Sequence, residues 1–305
     1  MNTLILKLGA TGDVVRTSTL LRRLRGHVSW ITAANNLALL AASRPDFRSV
    51  AWEQRHECHD RHYDLVINLE DTLDIAQFLT TLSSAKTFGA YTPDNRTLRY
   101  TEDSRGWFDL SLISHYGKAA ADRLKLLNRR SYQDLIFAGL GLPFEGEGYM
   151  LPPPASTGLS GDVAISPAAG PVWPMKNWAY YGQLKIELEH AGLTVNVLPK
   201  RSSLREHLAD VQNHRCLVSG DSLPMHLALG TGTRCVTLFT CTSPWEIHDY
   251  GLQRKLISPL LAEFFYQRGL DTRATMAIPV AAVYEATMAQ FKSPVAAPHE
   301  QLQPA

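Results

Sequence analysis

The stretch from Thr3 to Arg25 constrains this chain more than any other. A short apolar run, Thr3 to Leu8, is followed by Gly9-Ala10-Thr11-Gly12-Asp13 and then by Val14, Val15, Thr17, Leu20, Leu21 and Leu24 at helical spacing. The pattern predicts a buried strand, a tight glycine turn and an amphipathic helix. Gly9 and Gly12 allow close approach of another molecule to the backbone. Arg22, Arg23 and Arg25 fall toward the helix end, where cations suit the dipole. Asp13 then sits in the first helical turn beyond the carboxyl end of a strand, where ligands bind in open α/β sheets. Two readings of Asp13 stand side by side: a helix cap, and a carboxylate that accepts a proton from a sugar hydroxyl. The turn lacks the spacing of a phosphate loop or of G-x-G-x-x-G. An ATPase or a standard dinucleotide enzyme is therefore disfavoured.

The same rhythm continues. Strands are expected at Val28 to Thr32, Ser49 to Trp52, Asp64 to Leu69 and Thr87 to Ala90, with helices at Asn35 to Ser43, Ile75 to Leu82 and Ser131 to Ala138. The polar stretch Tyr91 to Trp107 is long for an idle connection. Pro143 to Gly161 is rich in Pro and Gly and marks a domain boundary. Beyond it the alternation restarts, with strands at Asp162 to Ser166, Thr194 to Leu198, Cys216 to Ser219 and Cys235 to Phe239. Helices are expected at Trp178 to Ala191, Leu204 to Val211 and Pro224 to Leu229. Two runs of alternating strands and helices predict two parallel-sheet halves with right-handed crossovers. The expected division is 1–150, 151–279, a terminal amphipathic helix at 280–292 and a disordered tail at 293–305 rich in Pro, Ala and Gln.

Bulk properties exclude several classes. A net charge of +1 over 305 residues gives no global case for a nucleic-acid partner. Local basic groups, Arg22, Arg23 and Arg25 and then Lys118, Arg123, Lys125, Arg129 and Arg130, read either as solvated helix faces or as surfaces for an anionic acceptor or a membrane. The four cysteines make no C-x-x-C and suit a reducing cytosol. Thr3 to Leu8 is too short for a signal-peptide core, and no apolar run reaches the ~18 residues that span a bilayer. The expected location is cytoplasmic, with any membrane contact peripheral.

His56-Glu57-Cys58-His59-Asp60-Arg61-His62 has metal-ligand residue types, but H-e-x-x-H would need histidine where Asp60 stands. It reads as a polar loop or, less directly, a metal cluster. Three loops after strands in the second half carry candidate chemistry. Lys176 stands ahead of a helix expected to start near Trp178; an ammonium beside free helix amides makes a diphosphate site, and a surface lysine is the alternative. Ser219 to His226 leads small and polar groups into a helix whose first turn contains His226; Asp221 or Ser222 also serves as a cap. Thr240 to Glu246 places hydroxyls at a strand end, fit for phosphate or ribose contacts or for a turn.

The ordered set Lys7-x-x-x-x-Gly12-Asp13-Val14-Val15-Arg16-Thr17, Trp173-Pro174-x-Lys176-x-Trp178, Asp221-Ser222-x-Pro224-Met225-His226-Leu227-Ala228 and Thr242-Ser243-Pro244…Tyr250-Gly251 resembles glycosyltransferase family 9, the ADP-heptose:lipopolysaccharide heptosyltransferases. The resemblance runs from about Thr3 to Gly251. It implies an α/β GT-B fold, two Rossmann-like parallel-sheet domains facing across a cleft, the first binding acceptor and the second nucleotide-sugar. It also implies that the terminal helix crosses back to the first domain.

The implied activity is inverting, metal-independent transfer of a sugar, heptose by resemblance, from an ADP-sugar to a cell-envelope glycan or glycolipid, with no cofactor and no metal ligands. Asp13 would be the general base. Thr11, Gly12, Lys176, Asp221, Ser222, Pro224, Met225 and His226 would bind the donor, and Lys176 with helix amides near His226 would stabilise the leaving diphosphate. The chain contains no Asp-x-Asp. Two positions depart from the family pattern: Leu223 stands where Gly is frequent, and Phe239-Thr240-Cys241-Thr242 replaces Phe-Gly-Pro-Thr. Both bear on the choice of nucleotide and sugar. The alternatives are a nucleotide-sugar epimerase or hydrolase on the same scaffold, and a non-catalytic nucleotide-sugar-binding member.

Overall fold

The computed structural model describes residues 1–40, 44–111 and 116–292. The chain divides into two compact units, Met1–Pro153 and Pro154–Ala305. The expected tail at 293–305 lies outside the described residues, as do the last residues of the helix expected at Asn35 to Ser43.

In the first unit the strands are β1 (Asn2–Leu6), β2 (His27–Thr32), β3 (Phe47–Ala51), β4 (His62–Tyr63), β5 (Leu65–Asn68), β6 (Ser83–Ser84), β7 (Thr87–Tyr91) and β8 (Arg99–Tyr100). The helices are α1 (Thr11–Thr17), α2 (Leu37–Leu40), α3 (Leu73–Leu79), α4 (Arg105–Ser111), α5 (Lys118–Leu127) and α6 (Tyr132–Gly139). The main sheet runs β3-β2-β1-β5-β7-β8. Its pairings are parallel except for the antiparallel edge β7–β8. Leu4, Ile5 and Leu6 are fully buried, as a strand covered on both faces requires. Gly89 of β7 has φ +113°, and a Cβ there would lie 1.8 Å from the Asn68 carbonyl oxygen. Only glycine permits β7 to pass β5 so closely.

The helix expected to run from Val14 through Leu24 is instead α1 followed by a 3-10 segment, Ser18–Arg22. The physical reason lies in two hydroxyls. Ser18 Oγ donates to the Val15 carbonyl at 2.6 Å and Thr19 Oγ1 to the Arg16 carbonyl at 3.1 Å, which competes with the regular α-helical ladder. The histidine-rich stretch forms a 3-10 segment, Trp52–Asp60. His59 Nε2 bonds Thr81 Oγ1 and His62 Nδ1 bonds Ser83 Oγ, each at 2.8 Å. These rings join the small β4–β6 edge to its neighbours. The long polar stretch 91–107 contains β8 and the start of α4.

In the second unit the strands are β9 (Gly161–Ser166), β10 (Val195–Val197), β11 (His214–Gly220), β12 (Arg234–Phe239) and β13 (Gln253–Ile257). The helices are α7 (Tyr181–His190), α8 (Leu204–Gln212), α9 (Leu223–Thr231), α10 (Leu261–Phe264), α11 (Thr272–Met276) and α12 (Val280–Lys292). The sheet order is β10-β9-β11-β12-β13, parallel throughout. Its core joins Val163, Ile165, Leu184, Val218 and Val236 with Val283 of α12.

The terminal helix was expected to cross back to the first domain; the contacts of α12 instead tie it to the second sheet. Val283 and Thr287 are fully buried, and Tyr284, Met288 and Phe291 pack on the second core. Gln290 Nε2 donates to the carbonyls of Cys235 and Leu252 at 2.8 and 3.0 Å. Its apolar face and its buried amide are both consumed there. Among the described residues no helix is long and apolar enough to cross a membrane.

Candidate active site

Each sheet has one point where its winding reverses. In the first, the chain runs outward from β1 to β2 and β3, then returns to β5 on the other side of β1. In the second, β10 lies on one side of β9 and β11 on the other. Loops leaving the carboxyl ends of such neighbouring strands diverge, and the gap between them is where open α/β sheets bind ligands. All the predicted site residues lie in or near these loops.

At the first switch point Lys7 directly follows β1, Asp13 lies in the first turn of α1 and Glu70 follows β5. Thr11 and Gly12 open α1, next to Asp13. Ala10 is the N-cap, so Asp13 is not the capping residue. Its carboxylate turns outward to two cations. Arg16 approaches Asp13 Oδ1, with Nη2 at 2.8 Å and Nε at 3.0 Å. Lys7 Nζ is 3.9 Å from Oδ2. Arg16 lies over the Tyr132 ring, 3.7 Å from its centroid, so its guanidinium is held from below. The Tyr132 hydroxyl meets Thr17 Oγ1 at 2.8 Å; burial and the nearby Asp13 carboxylate push the phenol up from its ordinary range. The Asp13 side chain keeps 25% of its surface exposed, whereas Lys7 keeps 2%. A carboxylate that is anchored by a cation and partly exposed can take a proton from a docked hydroxyl.

At the second switch point Lys176 lies in the loop after β9 and Asp221 follows β11. Lys176 Nζ donates to Asp221 Oδ2 at 2.8 Å and to the Asp221 carbonyl at 2.7 Å. Thr242 Oγ1, beyond β12, donates to the same Oδ2 at 2.8 Å. Burial pushes Asp221 up, but the charges of Lys176 and His226 and the hydrogen bonds from Lys176 and Thr242 outweigh it. The carboxyl settles at about 2, below its ordinary 3.8. An ammonium has three protons to donate, and Asp221 takes two of them. The close fit depends on Gly220, where a Cβ would stand 2.9 Å from the Lys176 carbonyl oxygen.

Two expectations change here. The helix after Lys176 starts at Tyr181, not near Trp178, and Lys176 belongs to a 3-10 turn, Pro174–Lys176. Trp178 is withdrawn from a helical start because its indole N–H donates to the Ile278 carbonyl at 2.8 Å. Lys176 is thus a partner of Asp221 rather than a companion of the α7 amides. Met225 has no exposed surface, so its side chain supplies packing and not a ligand contact. Ser222 is the N-cap of α9, with Pro224 in the first turn and His226 following, 5% exposed. The Ser222 hydroxyl makes no capping bond to the helix amides; it donates to the Gly220 carbonyl at 3.3 Å. The Thr240 and Thr242 hydroxyls, read as phosphate or ribose contacts or turn residues, are spent internally, Thr240 on the Met175 carbonyl at 2.7 Å.

Glu70 and Arg16 join these clusters without having been singled out as site residues. Glu70 follows a buried strand directly, and that position was the available signal. Strand order was not available, and only strand order places Glu70 beside Lys7. Among the described residues no three His, Cys, Asp or Glu side chains are grouped to hold a metal ion.

Residues 172–263 match the profile of glycosyltransferase family 9 (heptosyltransferase). Over that segment the chain is similar to glycosyltransferase family 9. The match contains Lys176, Asp221, Ser222, His226 and Thr242. No curated protein sequence matches the chain. A family 9 glycosyl transferase from Veillonella parvula DSM 2008 superposes with a TM-score of 0.64 at 14% identity, over 96% of this chain and 97% of that one. E. coli heptosyltransferase WaaC with ADP-2-deoxy-2-fluoro heptose gives 0.60 at 16% identity, over 96% and 100%. E. coli ADP-heptose lps heptosyltransferase II gives 0.62 at 15%, over 96% and 100%. The fold of this chain is therefore the GT-B fold, with both of its units accounted for in the superpositions.

Proposed function

We propose that this glycosyltransferase moves heptose from ADP-heptose to a hydroxyl of a cell-envelope glycan or glycolipid, with inversion and without a metal ion or cofactor. The observation that carries the reading is the Lys176–Asp221–Thr242 cluster, which lies wholly within the family-matched segment at the switch point of the second sheet. Two of the superposing structures are of heptosyltransferases named with ADP-heptose or a fluorinated form of it.

In this mechanism Asp13 accepts the proton of the acceptor hydroxyl while its oxygen attacks the anomeric carbon. The bond from that carbon to the diphosphate oxygen breaks, and ADP leaves with the electron pair. The remaining Lys176 proton and the amides at the start of α9 receive the charge that grows on the diphosphate. Asp221 keeps Lys176 in place. Thr11 and Gly12 shape the backbone beside the base.

The acceptor is placed at the inner face of the plasma membrane in the same proposal. Leu124 and Leu127 of α5 and nearby Tyr116 are exposed large apolar groups, with Arg123 exposed beside them. Apolar groups set among cations suit an anionic lipid surface.

The experiment is ADP release from ADP-heptose with and without a cell-envelope glycolipid extract, with anomeric configuration read by NMR. Acceptor-dependent release with an inverted product is expected, and excess EDTA should leave the rate unchanged. Release without acceptor would replace transfer by hydrolysis. A loss in EDTA that Mg²⁺ or Mn²⁺ reverses would overturn metal independence.

A further inference from the structure

Glu70 has no role in the mechanism above, yet one of its carboxylate oxygens accepts from three donors at the first switch point. Its Oε1 accepts from Lys7 Nζ at 3.0 Å, from the Leu8 amide at 2.7 Å and from the Gly9 amide at 3.4 Å. The Glu70 amide is itself fixed, donating to Asn68 Oδ1 at 3.1 Å. One acceptor thus gathers an ammonium and two consecutive backbone N–H groups of the loop that carries Asp13. Charge-assisted bonds of this kind are about twice as strong as neutral ones.

Lys7 is the intermediary. It is 2% exposed and stands between two carboxylates, 3.0 Å from Glu70 and 3.9 Å from Asp13. A buried ammonium without a close partner is costly, so it leans on the nearer acid. That choice decides what Asp13 experiences. With Lys7 committed to Glu70, Asp13 has only a distant share of its charge. Arg16 is then the close cation, at 2.8 Å.

We propose that Glu70 is a positioning residue for the Asp13 base: it draws Lys7 away from Asp13 and pins the Leu8–Gly9 backbone, so that Asp13 stays anchored but basic. The inference rests on the reading of Asp13 as the base. Among the described residues, Arg16 on its own helix and Tyr132 of α6 also stand around Asp13. Around Glu70 and Lys7 stands Asp71, which burial and the Glu70 charge push up and which hydrogen-bonds Tyr100. These groups stay in place in the variants below.

Glu70→Gln keeps the shape and an accepting oxygen but removes the charge. Lys7 then turns to Asp13 and stabilises its ionised form. Lys7→Gln removes the ammonium itself. The first readout is ¹³C NMR of the Asp carboxyl carbons over pH, with the Asp13 signal assigned as the one missing in Asp13→Asn. The Asp13 titration should move to lower pH in Glu70→Gln and to higher pH in Lys7→Gln. The second is the pH–rate profile of ADP release. Its acid limb should follow the same opposite displacements, with kcat about tenfold lower in Glu70→Gln and donor KM unchanged. Glu70→Asp, which restores the charge on a shorter arm, should recover part of the loss.

A merely structural Glu70 would lower the melting temperature of Glu70→Gln without moving the Asp13 titration. That result overturns the proposal, as does displacement of both variants in the same direction. Where Glu70→Gln does not fold, Lys7→Gln alone decides, since an unmoved Asp13 signal there removes the intermediary. Full activity of Asp13→Asn would instead overturn the base reading, and the NMR result would still stand as a separate fact about Glu70.

Discussion

At the first switch point Lys7 lies just beyond β1 and pairs at 3.0 Å with Glu70 beyond β5; at the second, Lys176 lies beyond β9 and pairs at 2.8 Å with Asp221 beyond β11. Both pairs cross the same place in a doubly wound sheet, from the loop of the first strand to the loop of the strand on its far side. What differs is the third participant. In the first unit it is another carboxylate, Asp13, whose side chain is 25% exposed. In the second it is a hydroxyl, Thr242, which donates to the carboxylate already paired. A lysine–carboxylate bridge is therefore how each switch point is closed, and chemistry depends on what is added to it. In the proposed mechanism the added acid accepts a proton. The added donor deepens an anion that holds a cation still.

The comparison breaks most visibly at Asp13. If it is the added chemical group and the bridge is the support, Asp13→Asn should cut turnover by on the order of 10²–10⁴-fold. Melting temperature and ADP-heptose affinity should stay close to those of the parent, because the Lys7–Glu70 bridge survives. Steady-state ADP release beside calorimetric titration reads both. Unchanged turnover would return Asp13 to a partner of Arg16 alone.

A smaller effect sharpens the other side. Lys176 belongs to a bridge and also faces the proposed diphosphate, so Lys176→Ala should lose on two counts. It leaves Asp221 as a buried carboxylate without its cation, at a cost of about 3–5 kcal/mol by analogy with broken buried pairs. It should also lower kcat/KM more than it weakens intact-donor binding, since charge grows on the leaving diphosphate. Lys176→Arg should restore only part of either loss, because a planar fork does not reproduce a compact ammonium between two oxygens of one residue. Equal losses in kcat/KM and donor affinity would assign Lys176 to uniform donor binding. A stability loss alone would leave it a bridge like Lys7.

Much of this was legible in the residues. The apolar runs at Thr3–Leu8 and Leu65–Asn68 announce buried parallel strands, and the proline- and glycine-rich stretch before Gly161 announces the division of the chain. Asp13, Lys176 and Asp221 were found because each follows a strand. The pairings that hold these clusters were not, for a physical reason: Lys7–Glu70 is 63 residues apart and Lys176–Asp221 is 45. Such pairs are created by strand order, which periodicity does not encode. The 3-10 segment after α1 escaped for a local reason, since the Ser18 and Thr19 hydroxyls override a pattern that is apolar at helical spacing. The path of α12 escaped because an amphipathic helix carries no label for the sheet it will cover; Gln290, bonded to Cys235 and Leu252, supplies that label only once the sheet exists.

The smallest expected effect concerns the ionisation of the second bridge. Asp221 is held at about 2 in the folded protein, below its ordinary 3.8, through Lys176, His226 and Thr242 acting against burial. A carboxyl with a depressed folded value binds fewer protons folded than unfolded, so its contribution to stability is fully present above about pH 4. It is lost as pH falls through about 2. Other carboxyls with lowered values, Asp46, Asp60, Asp94, Asp162 and Asp271, impose their own acid sensitivity. The parent must therefore be compared with Asp221→Asn rather than judged alone. Both proteins share those groups, and only the parent carries the Asp221 term. The gap in melting temperature between them should be largest at pH 5 and shrink steadily toward pH 2.5, as protonation makes the parent resemble the amide. Scanning calorimetry at half-unit steps reads the gap directly. A gap that stays constant across the range would mean that Asp221 holds Lys176 by shape and hydrogen bonding and not by its charge, and the bridge would then lose its electrostatic likeness to Lys7–Glu70.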